Sequence, residues 1–147
     1  IHVEVAVERP PDVVWKYLAD PRRDVDWQED VLHSTHRPTG PIQVGTRTFK
    51  VRGTRFGNQL TEAEITHVDH GAREWRDLVI VGILRGSTGH YRVVPYGQGS
   101  RVVIDLDTRA PGPRKFVMTM VDRSTRSGLA SDLAKLKGLL EGRRAGQ

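Results

Sequence analysis

The stretch PPDVVWKYLADPRRDVDW, Pro10 to Trp27, reads as a strand exit, a short helix, a break and a tryptophan in need of cover. Proline at 11 suits a first helical turn, where its missing N–H is no loss, and Asp12 complements the positive helix end. Val14, Trp15 and Leu18 recur at helical spacing, so one face of this helix is apolar. Asp20-Pro21 stops it, because the residue before a proline is pushed out of helical angles. Trp27 stands in a charged run, DVDWQED, and predicts an apolar place for its ring. Just upstream, residues 2–8 alternate: Val3, Val5 and Val7 share one face, and His2, Glu4 and Glu8 mostly the other.

Working downstream, strand-like runs occupy 31–37, 46–54, 58–68, 73–83, 88–95 and 101–108. Turn clusters such as RGTRFGN, VDHGA and GQGS separate many of them. The connections are hairpin-length, so these six strands are expected to form an antiparallel meander, with the first making seven. PGPRK then introduces a long C-terminal helix. Leu129, Leu133, Leu136 and Leu140 form one apolar stripe in its second half. Its first half, FVMTMVDRSTRSG, carries small groups: Thr119, Ser124, Thr125, Ser127 and Gly128. Small side chains leave space, and a cavity needs space.

With 147 residues and no linker, repeat or low-complexity segment, the expectation is a single domain over 1–147. No apolar run reaches the ~20 residues of a membrane span, and the opening residues do not look like a signal peptide. The absence of cysteine excludes disulfides and thiolate chemistry and fits a cytoplasmic protein. Charge is uneven: residues 1–84 hold 11 Lys+Arg against 13 Asp+Glu, and residues 85–147 hold 12 against 5. The basic residues are scattered singly without interleaved aromatics, which argues against nucleic acid. His33/His36 and His67/His70 are each three apart, so neither can chelate as a strand dyad. No HExxH or other ligand pattern is present, and no metal or cofactor is expected. P-loop, GxGxxG and GxSxG signatures are absent too.

The order of the first strand, the PPDVVW helix and a second short helix ending near Trp27 resembles the START-like (SRPBCC) superfamily and its polyketide cyclase/dehydrase family. VGTR (Val44 to Arg47), GQGSRV (Gly97 to Val102) and LAKLKGLLEG (Leu133 to Gly142) sit where members of that family carry similar segments. The resemblance implies an α+β helix-grip fold: a seven-stranded antiparallel sheet wrapped around a long C-terminal helix, two short helices after the first strand, and an internal cavity. It also implies a hydrophobic or polyketide-like small-molecule partner. An acidic acyl carrier protein is a further candidate, facing Arg114, Lys115, Arg123 and Arg126. The chain is expected to be a monomer or homodimer.

Strand pleating nominates the lining. Near 59–67, Gln59, Thr61, Ala63, Ile65 and His67 share a face. The other holds Glu62 and Glu64, so the His67 face is turned inward. In the next strand Trp75, Asp77, Val79 and Val81 share a face, although both faces carry apolar residues and the choice is open. A hairpin pairing His67 with Trp75 sets Ile65 opposite Asp77 and makes His67 and Asp77 diagonal neighbours. The last hairpin pairs Val93 with Val102 and Tyr91 with Ile104. His67 as base, Asp77 as its orienting carboxylate and Tyr91 as donor to an enolate oxygen form the expected catalytic group. Trp27, Phe49, Gln59 and Trp75 are expected to bind substrate, and Trp15 to pack in the core. Two functions fit: a cyclase/dehydratase working on a poly-keto or β-hydroxy-keto intermediate, and a non-catalytic binding or transport protein. The polar inward set favours the first.

Overall fold

The computed structural model describes residues 1–109 and 115–145. Strand β1 (His2–Val7) is followed by helix α1 (Pro11–Leu18), a 3₁₀ turn (Pro21–Arg23) and helix α2 (Asp24–Trp27). Strands β2 (Val31–Arg37), β3 (Arg47–Thr54), β4 (Gly57–Asp69), β5 (Glu74–Val81), β6 (Thr88–Tyr96) and β7 (Gly99–Asp107) follow, then helix α3 (Lys115–Ala145). The PGPR stretch expected to introduce α3 lies outside the described residues.

All seven strands form one antiparallel sheet in the order β1-β7-β6-β5-β4-β3-β2. The meander runs from β2 to β7, and β1 pairs on the far side of β7. β1 and β2 are therefore the two edge strands, and α1 and α2 carry the chain between them. Asp20 caps the 3₁₀ turn by accepting from the Arg22 N–H at 3.1 Å. This local bond holds the break after α1 that the Asp-Pro pair dictates.

The concave face grips α3. Leu133, Leu136 and Leu140 are buried against Val3, Val7, Val93, Val102 and Ile104, with Val14, Trp15 and Leu18 of α1 completing the core. Polar ties pin the helix at its edges. Lys137 Nζ donates to the Ala6 carbonyl at 2.9 Å, Arg9 donates to the Leu140 carbonyl at 3.2 Å, and the Glu29 N–H donates to Asp132 at 3.2 Å.

Register decides which side chains reach the inside. Tyr91 pairs with Ile104, Val93 with Val102 and Ile65 with Asp77, as the pleat predicts. One expected pairing is different. A β-bulge between Ile65 and His67 adds a residue to β4, so Val68 and not His67 lies opposite Trp75. The extra residue turns His67 to the convex face, where it pairs with Arg76 and is exposed. There its Nε2 donates to Glu74 Oε1 at 3.1 Å, and His90 reaches the other oxygen of the same carboxylate at 3.2 Å.

Candidate functional site

Between the first half of α3 and the sheet lies a cavity of about 570 Å³. Val79, Ile83, Leu84, Leu106 and Leu129 give it apolar walls, and Trp27 closes one end. Ser124, Thr125, Ser127 and Gly128 border it from α3, so the small-residue half of the helix faces the space it leaves. Gln59, Ile83, Ser127 and Ser131 are exposed lining residues and mark the mouth.

Asp77 sits on the floor. Burial raises its pKa to about 6, against the pull of nearby Lys50 and of the Gly89 backbone N–H that donates to it; Asp24 adds to the rise. The β5–β6 register places Asp77 beside Gly89 and Trp75 beside Tyr91. A β-carbon added at Gly89 would lie 2.8 Å from Asp77 Oδ1 and 2.9 Å from the Tyr91 hydroxyl. Only glycine therefore lets the carboxyl and the phenol share this corner. Burial, then the Asp77 and Asp24 charges, push the Tyr91 hydroxyl well above its ordinary range, so it stays a neutral donor. The Tyr91 ring is fixed by stacking on Trp75, with centroids 4.5 Å apart and planes 11° apart.

A second polar group lines the β3 side. Lys50 Nζ is 2.8 Å from Asp24 Oδ2, and Arg52 donates to Asp30 at 2.9 Å and to Gln28 at 3.4 Å. Asp24 is buried, and burial outweighs the attraction of Lys50 to leave its pKa raised. Sequence patterning missed this group because β3 inverts the usual rule. Thr48, Lys50 and Arg52 face inward opposite Ala63, Thr61 and Gln59, while Phe49 faces outward opposite Glu62. The available signal was the acidic DVDWQED run, which supplies a counter-charge for each inward cation.

The expected site residues thus divide. Asp77, Tyr91, Trp27 and Gln59 line the cavity. His67 does not, for the reason given by the bulge, and the His67–Asp77 pair does not form. Phe49 belongs to the convex face, where the Arg37 guanidinium lies 5.9 Å from its ring. Trp75 shares the concave side but backs Tyr91 and packs on Trp15, at 5.6 Å between centroids, without lining the cavity. Among the basic residues of α3, Arg123 and Arg126 are exposed, and Arg114 lies outside the described residues.

A shallower cleft of about 650 Å³ reaches Asp77 and Gly89 from the rim, past His2, Arg76, His90 and Asp105. Its lining is mostly polar, so the inner cavity is the better container for an apolar molecule. Among the described residues no cluster of His, Asp and Glu is placed to hold a metal ion. No helix among them is long and apolar enough to cross a membrane.

Residues 1–141 match the family model described as "Polyketide cyclase / dehydrase and lipid transport". The chain belongs to this family. No curated protein matches it at the level of sequence. The fold of this family member recurs in solved structures. The aromatase/cyclase ZhuI from Streptomyces sp. R1128 is 18% identical with a TM-score of 0.77, over 97% of this chain and 93% of that one. The di-domain aromatase/cyclase BexL of the BE-7585A biosynthetic pathway is 19% identical with a TM-score of 0.79. That match covers 96% of this chain and 46% of BexL. Ara h 8.0201, at 12% identity and a TM-score of 0.70 over 97% of each chain, shares the same fold.

Proposed function

We propose that this chain is a cyclase or dehydratase that holds a poly-keto or β-hydroxy-keto molecule between sheet and α3. The observation that carries the reading is a desolvated carboxyl, Asp77, at the floor of an otherwise suitable container, with a pKa of about 6. A carboxylate tuned toward neutrality is a far better proton acceptor than a solvated one and still ionises near pH 7. Asp77 holds the proton-acceptor role expected of His67.

In the dehydration, the Asp77 carboxylate removes the proton from the carbon between a ketone and a carbinol. The Tyr91 hydroxyl donates a hydrogen bond to the ketone oxygen as it becomes an enolate. The enolate re-forms the carbonyl, the carbon–oxygen bond of the carbinol breaks, and Asp77 returns its proton to the departing hydroxide. The products are an unsaturated ketone and water, and Asp77 ends ionised as it began. For ring closure, the same enolate attacks a second carbonyl of the chain and Asp77 protonates the new alkoxide. The walls contribute by restricting a flexible substrate to a reactive geometry, an effect worth several kcal/mol.

A second reading, non-catalytic binding or transport, draws on the apolar wall formed by Val79, Leu84, Leu106 and Leu129 and needs no chemistry from Asp77. Incubation with a β-hydroxy-ketone thioester analogue separates the two. Enone absorbance that grows with the wild-type chain and disappears in Asp77→Asn supports the enzyme. Quenching of Trp27 fluorescence by the analogue, with no turnover, supports the binder.

A further inference from the structure

Of the nine large apolar side chains exposed among the described residues, five lie toward one end of the sheet: Phe56 and Ile83 in the loops at its tip, and Leu32, Leu60 and Val81 on the convex face behind them. Phe56, at the tip of the β3–β4 hairpin, is 89% exposed. Ile83, in the β5–β6 loop, is 61% exposed and also lines the cavity mouth. The topology brings these segments together. Leu32 packs at Gly53 beside the hairpin, and a β-carbon at Gly82 would lie 3.2 Å from the Leu60 carbonyl oxygen. Exposed cations are near in the chain: Arg55 next to Phe56, Arg85 two residues after Ile83, and Arg123 next to the cavity-lining Ser124 of α3. α3 is tied to this end by the hydrogen bond between Thr108 and Asp122. Arg55, Arg85 and Arg123 form no ion pair among the described residues.

Monomer surfaces rarely gather exposed apolar groups in this way without a use for them. A second copy seated here would set arginine against arginine. A soluble acidic partner would answer the arginines but leaves a projecting phenylalanine tip little to enter. An anionic lipid surface meets both at once, with an apolar layer beneath a negative one.

We infer that this end of the molecule docks on an anionic lipid surface, with Phe56 and Ile83 entering the interface and Arg55, Arg85 and Arg123 meeting the headgroups. Docking turns the cavity mouth toward the lipid, so an apolar ligand passes between bilayer and cavity without crossing water. The inference rests on the cavity as a ligand container, whereas docking itself is measured with no ligand present.

The test is co-sedimentation of the whole chain with vesicles of phosphatidylcholine alone and of phosphatidylcholine with phosphatidylglycerol. The expected result is binding to the anionic vesicles only, weakened by salt. Phe56→Ser should reduce the affinity about tenfold, the scale set by burial of one aromatic side chain. Arg55→Gln and Arg85→Gln should each reduce it about fivefold at low salt. Because Phe56 is so exposed, the circular dichroism spectrum of Phe56→Ser should match wild type, and the arginine variants test the same surface independently. The inference is overturned if the chain does not sediment with anionic vesicles, or if Phe56→Ser sediments as well as wild type. It is also overturned if this surface instead pairs with a second copy or an acidic carrier protein while vesicles go unbound.

Discussion

The two halves of α3 lie under the same sheet and do opposite things. From Leu133 onward the helix presents leucines that are buried against β1, β6 and β7. From Ser124 to Ser131 it turns hydroxyls, a glycine and the single leucine Leu129 toward the sheet, which is left facing a cavity. Side-chain size alone converts a packed core into a container within three turns of one helix. The second consequence is electrostatic. Where the helix is small, Asp77, Tyr91 and Asp24 stand around the cavity, and burial pushes the pKa of each upward.

This contrast can be broken from either side. The largest effect is expected at the cavity end: Asp77→Asn should lower turnover by ~10²–10⁴-fold while the chain stays folded, measured as initial rates of enone formation. At the packed end, Leu136→Ala should cost roughly 2–5 kcal/mol in denaturant unfolding, because a fully buried leucine leaves a hole the core fills only in part. Asp77 should also act on stability, with the sign set by its raised pKa. The native carboxyl holds its proton up to about pH 6, whereas the unfolded chain releases it near 3.8. Stability therefore falls as pH rises between those values and stays lowered above them. Asp77→Asn removes that penalty, so the variant should be more stable than wild type by about 3 kcal/mol above pH 6, and little changed below pH 4. The smallest effect is expected at Gly128, where an added β-carbon meets nothing within 4 Å. Gly128→Ala should stabilise the helix by about 0.5–1 kcal/mol, read as a shift in the denaturation midpoint.

The packed half was legible in the sequence and the cavity half only partly. Leucine spacing in α3, the PPDVVW helix and the alternation of β1 are local patterns, and each reports its own buried face. Strand parity also carried Ile65, Asp77, Tyr91 and Ile104 to the correct side. It failed at His67, since a bulge is a single inserted residue that composition does not announce, and every later side chain in β4 changes face with it. Phe49, expected to bind substrate, lies on the convex face for a different reason: an apolar side chain turns inward only where the interior is apolar. In β3 the interior is the polar side of a cavity, and lysine and arginine face it because Asp24 and Asp30 are there to meet them. Gly89 was invisible for a related reason: its necessity comes from Asp77 and Tyr91, which approach it only in the folded sheet.

Asp77 is the group on which the proposed chemistry depends, and its carboxyl can be titrated directly. Carbon-13 NMR of aspartate-labelled chain, with the Asp77 signal assigned by its loss in Asp77→Asn, should give a midpoint of about 6 for that carbon. A midpoint near the ordinary aspartate value of about 4 would show a carboxyl in contact with bulk water, and would contradict the acid–base role assigned to it.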